Sequence, residues 1–273
     1  MPELPEAETI ARSLRAGVSG RKIVAAAFLA KRVSSDDPAR MVGRTILSVA
    51  RYGKQLLLEL DRGFVQVKLG MTGALLVNAG TGAHTRAILE FDDGGRLQFD
   101  DIRQFGSLRL VDAPPASLGP DPFEIDAATF AALLRARRGK LKPLLLDQSF
   151  LRGLGNIYVD EALHRAGLHP LAAAERLPSA RAQSLHARIV ELLDEAIAHR
   201  GSSISDYVDA AGERGSFQNL HRVYGKEGQP CVNCGELIRR IIVAQRGTHF
   251  CPRCQALKIR TSTRTARAAD SVR

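Results

Sequence analysis

The chain holds four cysteines, Cys231, Cys234, Cys251 and Cys254, all within one stretch of 24 residues. Two C-x2-C pairs separated by 16 residues have the spacing of two hairpin knuckles that offer four thiolates to a tetrahedral zinc ion. Gly235 and Pro252 stand where the knuckle turns need them. A pair of disulfides is the competing arrangement, and the lack of any cysteine elsewhere speaks against it. With all four ligands from protein the site is closed, so the expectation is one structural Zn2+. The intervening chain then forms a rigid hairpin presenting Gln245-Arg246-Gly247. Arg246 there is either a positioned phosphate contact or one more solvated arginine. Cysteine economy elsewhere fits a reducing compartment.

At 273 residues the chain is long for one core, and two or more domains are expected. Lys and Arg number 39 against 29 Asp and Glu, a net charge of +10. That favours a polyanionic partner, nucleic acid before a membrane surface. No apolar run reaches the ~18 residues of a spanning helix, and the first residues lack the basic and apolar regions of a signal peptide. A cytoplasmic location with access to DNA or RNA follows. The Walker loop, the H-E-x-x-H pair and the Rossmann glycine fingerprint are missing, which removes support for nucleotide hydrolysis, zinc proteolysis and dehydrogenase chemistry.

In chain order, Ala7, Ile10, Ala11 and Leu14 recur at helical spacing behind Pro5, with Glu6 and Glu8 in the first turn. Residues 21–111 read as short strands. Gln55 to Leu60 and Phe64 to Leu69 flank the turn Asp61-Arg62-Gly63, and Ala87 to Phe91 and Arg96 to Phe99 flank Asp92-Asp93-Gly94-Gly95. This predicts a β-sandwich or barrel with a leading helix. Four prolines between Asp112 and Pro122 mark a linker. The pattern then turns helical. Asp126 is a fair N-cap for a helix through Phe130 and Leu134, and a long helix from Ser179 carries Leu185, Ile189, Leu192, Leu193 and Ala196, with Gly201 expected at its C′ position. Gly201 to Gln218 is small and polar and reads as a mobile loop. The predicted fold class is multidomain α+β. Its parts are a β-sandwich (1–112), a linker (113–125), a helical domain (126–224), a zinc-finger β-hairpin (225–257) and a disordered basic tail (258–273).

Several residues invite a chemical reading. Proline at position 2 is small enough for Met1 to be trimmed, which leaves a secondary amine with a pKa of roughly 7.7–8.0 if unperturbed, a plausible Schiff-base nucleophile beside Glu3. Lys54 follows Gly53 at a strand break. Met71 sits between glycines in a turn, and Arg103 precedes Phe105 by two residues. An apolar wedge beside an arginine can fill a base stack that a protein has opened, although on the residues alone anchoring of its loop against the sandwich is the favoured reading of Phe105. His84 lies in a polar loop, and Arg135 to Lys142 is a basic run suited to a DNA-facing or a solvated surface.

Together these residues resemble the bacterial formamidopyrimidine-DNA glycosylases, of the wider family that includes endonuclease VIII. The resemblance runs from Met1 to about Gln255. It rests on Met1-Pro2-Glu3-Leu4-Pro5-Glu6, Gly53-Lys54, Leu69-Gly70-Met71-Thr72-Gly73, Arg103-Gln104-Phe105-Gly106, Gly153-Leu154-Gly155-Asn156-Ile157-Tyr158, Val223-Tyr224-Gly225 and the cysteine knuckles with Gln245-Arg246. It implies that the helical domain carries a helix–two-turn–helix motif and that the partner is double-stranded DNA with a damaged base. It implies Pro2 as nucleophile at C1′, Glu3 as the acid that opens the sugar and Glu6 as support. Lys54 would serve β-elimination and Arg246 δ-elimination, with Asn156 joining Arg246 on the phosphate. His84, Arg103 and Arg137 match DNA contacts, Lys142 matches a lysine near the base pocket, and Met71, Arg103 and Phe105 match the trio that fills the gap. The implied activity is excision of oxidised purines with strand cleavage, by a monomer without redox or nucleotide cofactor.

The departures from the family pattern are Lys68 where histidine is common, Arg86 at the second position of a His-x-His loop, Gln104 for a second arginine, and the longer tail. They bear on damage preference and opposite-base preference. An endonuclease VIII-type enzyme for oxidised pyrimidines is the nearest alternative, opposed by Leu4 where glycine is typical there. A zinc-ribbon DNA-binding protein without chemistry would explain charge and zinc but not Pro2, Glu3, Lys54 and Arg246 together.

Overall fold

A computed structural model describes residues 2–34, 36–204 and 206–257. Met1 and the expected tail, 258–273, lie outside the described residues. The elements run α1 (Leu4–Val18), β1 (Ile23–Phe28), β2 (Ile46–Tyr52), β3 (Gln55–Leu60), β4 (Phe64–Lys68), β5 (Gly73–Val77), β6 (Thr85–Phe91), β7 (Arg96–Asp101) and β8 (Ser107–Val111). Then follow α2 (Ala127–Arg135), α3 (Leu141–Leu146), α4 (Asn156–Arg165), α5 (Ser179–Ala198), β9 (Arg239–Val243) and β10 (Arg246–Phe250).

Two antiparallel four-stranded sheets, ordered β1-β6-β7-β5 and β2-β3-β4-β8, form the sandwich. The strand alternation seen in the sequence has a direct cause. Leu56, Leu58, Val65 and Val67 from one sheet meet Leu75, Leu89, Leu97 and Phe99 from the other. Helix α1 closes this core with Ala7, Ile10, Ala11 and Leu14, but Leu4, at its first turn, belongs to the second core. That second core is built from α2, α4 and α5 around Phe130, Tyr158, Leu163 and Leu185. The N-terminal residues therefore stitch the two apolar cores together.

Helix α5 ends one residue earlier than expected. Arg200 takes the left-handed C′ position at φ 61°, and Gly201 follows as C″ at φ 75°. The bonds Gly201 N–H to Ala196 O (2.8 Å) and Arg200 N–H to Ile197 O (2.9 Å) complete a Schellman motif.

The proline-rich segment has neither helix nor strand, as expected, yet it is tied down tightly. The buried carboxylate of Asp121 accepts from Arg51 on β2 (2.6 Å) and from Arg152 (3.3 Å), which also donates to Glu124 and stacks over the Tyr52 ring at 4.4 Å. Gly201 to Gln218 is likewise packed: Ser202, Ser203, Asp209, Ala210 and Phe217 are buried. Among its described residues, Ser203 N–H donates to Gln218, Ser203 O–H to the Tyr207 carbonyl and Arg214 to the Ser203 carbonyl.

Removing one partner of a buried ion pair leaves the other charge uncompensated. Asp121→Ala is therefore expected to cost about 3 kcal/mol, read as a lowered urea midpoint, with Arg51 and Arg152 both losing their shared acceptor.

Candidate active site and zinc centre

The site is organised by where Glu3 points. Its carboxylate leaves its own helix and accepts from Gly155 N–H (2.8 Å), Ile157 N–H (3.0 Å) and Tyr158 N–H (3.4 Å) at the start of α4. It does what an N-cap side chain would do, at a helix whose own N-cap, Gly155, has none. A Cβ at Gly155 would collide with the Glu3 carboxyl carbon, and one at Gly153, φ 104°, would lie 2.6 Å from Leu4 Cδ1. The backbone N–H of Leu4 donates to the Gly153 carbonyl at 3.0 Å. Thus Gly153-Leu154-Gly155 is a seat for the chain's first residues, and Pro2 is fixed at its rim.

Glu6 sits one turn on. It accepts from Glu3 N–H (2.8 Å), Tyr158 O–H (2.5 Å) and Ser202 N–H (2.7 Å). A Cβ at Gly201 would approach its Oε1 to 2.6 Å, so the glycine after α5 is fixed by this carboxylate as well as by its backbone angle. Burial raises the pKa of Glu3, against the Lys54 charge and the three helix N–H groups. Burial, then the neighbouring Glu3, pushes Glu6 up to about 7. Lys54 is pushed down by burial, opposed by the attraction of Glu3 and reinforced by the repulsion of Arg246. The structure thus brings Glu3, Glu6, Lys54 and Arg246 into one electrostatic cluster.

Pro2 lines two cavities. One, of about 280 Å³, also exposes Lys54, Lys68 and Phe105, and the other, of about 140 Å³, exposes Glu6, Met71, Ser202, Ile204, Tyr207 and Tyr224. Arg246 is exposed at the start of β10, behind a two-residue turn in which Ala244 and Gln245 both have positive φ, the backbone of a type I′ hairpin. Asn156 Nδ2 donates to the Gly247 carbonyl at 3.0 Å, so the α4 N-terminus also holds this hairpin.

Arg103 Nη1 approaches Met71 Sδ at 3.2 Å, and its guanidinium covers the Phe105 ring at 4.7 Å. Met71 and Phe105 are 44% and 59% exposed, so the three side chains form one projecting group instead of a loop anchor. Beneath them the buried Asp101 accepts from Thr72 O–H, Arg103 N–H and Gly106 N–H. His84 joins this region through its carbonyl, which accepts from Asp101 N–H at 2.9 Å. Arg137 lies exposed in the turn after α2, on a separate segment.

Lys142 departs from expectation. Its side chain has no exposed surface; Nζ donates to Asp160 (2.7 Å) and to the Gly247 carbonyl (3.2 Å). Its ammonium group faces Asp160 and the hairpin, not solvent. Asp160, on α4, also accepts His249 N–H at 2.8 Å, so this buried pair clamps the Arg246 hairpin to α4.

The four cysteine sulfurs lie within 4.8 Å of one another, with Cys231–Cys254 at 3.9 Å and Cys234–Cys251 at 3.5 Å. Tetrahedral zinc with Zn–S bonds of about 2.3 Å has sulfur–sulfur edges of about 3.8 Å, whereas a disulfide needs about 2.0 Å. The donor set fits one structural Zn2+. His164 of α4 places Nε2 3.4 Å from Cys231 Sγ, a hydrogen bond between the helical domain and a ligand.

Three family models align along the chain. The formamidopyrimidine-DNA glycosylase N-terminal domain matches residues 1–108, the H2TH domain of the same proteins residues 118–208, and the zinc finger found in FPG and IleRS residues 228–257. The formamidopyrimidine-DNA glycosylase of Solibacter usitatus is 52% identical over 264 residues, covering 93% of this chain and 99% of that one. The chain belongs to the formamidopyrimidine-DNA glycosylase family. The Bacillus subtilis member is 40% identical, covering 94% of this chain and all of its own. Lactococcus lactis FPG in complex with DNA containing an abasic site superposes with a TM-score of 0.86 at 36% identity, over 93% of this chain and all of that one. MutM in complex with DNA containing carbocyclic 8-oxo-G gives 0.85 at 36%, over 94% of this chain and all of that one.

Within this family fold, sequence reasoning missed Ser202, Ile204 and Tyr207, because their segment reads as a polar loop, and gave no role to Tyr158 or Tyr224. The signal available was their place in or beside glycine-bearing motifs.

Two outcomes follow from the site. Between about pH 4.5 and about pH 7 the folded chain keeps a proton on Glu6 that the unfolded chain has released, so stability falls as pH rises through that window and levels off above it. In Glu6→Gln the drop in thermal midpoint between pH 5 and pH 8 shrinks. A strong chelator at neutral pH removes one equivalent of zinc, read by a colorimetric indicator, and loosens the Arg246 hairpin, read as faster amide exchange at 239–250.

Proposed function

We propose that this chain is a bifunctional DNA glycosylase and abasic-site lyase that excises oxidised purines, 8-oxoguanine and formamidopyrimidines, in base excision repair. The observation that supports the proposal is the seat of Glu3 on α4, beside a lysine of lowered pKa and next in the chain to Pro2, which lines one cavity together with that lysine. Removal of Met1 frees the Pro2 amine. Its lone pair attacks C1′ of a flipped nucleotide, the base departs with the glycosidic electron pair, and the proton lost from the Pro2 nitrogen neutralises the departing base. Glu3 gives its proton to the ring oxygen as the sugar opens, which leaves an iminium on Pro2. Loss of a C2′ proton then expels the 3′ phosphate, served by Lys54, and a second elimination, served by Arg246, expels the 5′ phosphate.

Flipping costs a few kcal/mol of unstacking, which the Met71, Arg103 and Phe105 group offsets by filling the gap. Asn156 and Arg246 bind the adjacent phosphate, and His84 and Arg137 extend the contact along the backbone. Lys142 serves from behind, by holding the Gly247 carbonyl. The zinc ion keeps the hairpin rigid and takes no part in bond making. We place the enzyme in the cytoplasm, on chromosomal DNA, as a monomer.

Borohydride added to enzyme and an 8-oxoguanine duplex is expected to yield a covalent protein–DNA adduct that disappears in Pro2→Gly. Absence of an adduct on both 8-oxoguanine and abasic DNA would overturn the proposal. Faster incision of thymine glycol than of 8-oxoguanine would reassign the substrate class to oxidised pyrimidines.

A further inference from the structure

The hydrogen bonds around Glu6 continue away from the reaction centre. Tyr158 Oη, bonded to Glu6 Oε1 at 2.5 Å, lies 3.3 Å from Ser202 Oγ, and Ser202 Oγ lies 3.0 Å from His221 Nε2. All four side chains are buried, Ser202 and His221 being the most accessible at 5% each. A closed file of hydrogen bonds thus joins a carboxyl group on α1 to an imidazole just before the zinc finger.

Both inner members are hydroxyls, each able to donate one hydrogen bond while accepting another. The file therefore has two senses. If Glu6 is ionised, Tyr158 donates to it and Ser202 can donate to Tyr158. If Glu6 is protonated, Glu6 O–H donates to Tyr158, Tyr158 to Ser202, and Ser202 needs an acceptor beyond it. His221 Nε2 is that acceptor when the ring is neutral. The tautomer with its proton on Nδ1 leaves Nε2 free to accept from Ser202.

We propose that His221 is a positioning residue, the terminal acceptor of this file, and that it holds a proton on Glu6 at neutral pH so that Glu3 can give up its own. Two carboxylates this close cannot both ionise cheaply. As Glu3 turns into an anion on protonating the sugar, a neutral Glu6 removes the opposing charge. No net proton leaves the file in this role: each hydroxyl keeps one proton and only the direction of donation is fixed. The proposal rests on the reading of Pro2 and Glu3 given above.

The surroundings agree. Phe217 and Tyr224 meet the His221 ring edge-on at 5.7 Å each, and burial lowers its pKa, reinforced by Lys226 and opposed by Glu161. Glu161 is itself occupied by the backbone N–H groups of Arg222, Val223 and Tyr224. At the other end Glu6 faces Glu3, Lys54 and the Tyr207 hydroxyl, which contacts its backbone carbonyl at 3.5 Å.

The test is the pH dependence of single-turnover base excision, with borohydride trapping on abasic DNA run alongside. His221→Leu removes the acceptor, so the alkaline limb is expected to move down by roughly one pH unit, a tenfold loss at pH 8 with little change at pH 6. His221→Gln, whose amide oxygen can accept from Ser202, is expected to restore the wild-type limb. A limb that stays in place in His221→Leu, or a loss that is uniform across pH, would overturn the inference while trapping by the wild type remains. Failure of wild-type trapping would instead remove the reading on which it rests.

Discussion

Glu3 accepts three backbone N–H groups from a helix that begins more than 150 residues later, and most of the molecule is arranged around that contact. Charge-assisted hydrogen bonds of this kind contribute about 1.5–3 kcal/mol each, and the helix N-terminus adds up to ~2 kcal/mol in a partly buried setting. Even so, burial prevails, since the Glu3 pKa is raised and not lowered. The helix therefore locates the carboxyl group without making it a permanent anion. For the proton donor that we propose Glu3 to be, that balance serves better than a strong ion pair.

Helix α4 is where the three parts of the chain meet. Its first turn receives Glu3 from the N-terminal helix, Asn156 and Asp160 receive the hairpin that carries Arg246, and His164 reaches the cysteine cluster. Lys142 completes this join from α3. A displacement of α4 would move Glu3 and the Arg246 hairpin at once. The zinc-binding unit thus has a second use beyond its own stability, since it fixes the far end of the same clamp.

Much of this was legible in the residues. The four cysteines announce their cluster through spacing alone, and the turns at Asp61-Arg62-Gly63 and Asp92-Asp93-Gly94-Gly95 separate strands that end close to where alternation places them. Pro2 beside Glu3 suggested an amine nucleophile from the residues alone, but the separate roles of Glu3 and Lys54 came only from the resemblance, because nothing local to Met1–Glu8 says that Glu3 will cap a helix elsewhere. Lys142 misleads for a related reason. A lysine in a basic run reads as solvated, and its burial depends on Asp160 and the Gly247 carbonyl, which arrive from distant parts of the chain. The same holds for Ser202 and Ser203, whose polarity suits water but whose hydrogen bonds go to Glu6, His221, Gln218 and Tyr207.

Leu4 belongs to the helical core, although the rest of its helix belongs to the sandwich. During synthesis the chain's first residues therefore wait for partners that are not yet made. At about 5–20 residues per second, the residues of α4 follow Leu4 by roughly 8–30 s, and the exit tunnel lengthens that delay. Throughout this interval α1 has only the sandwich to pack against. Once α4 emerges, Glu3 and Leu4 dock on it and the two apolar cores are joined. The topology itself thereby sets an order of assembly, in which the sandwich takes shape first and its leading helix afterwards becomes the tie to the helical domain.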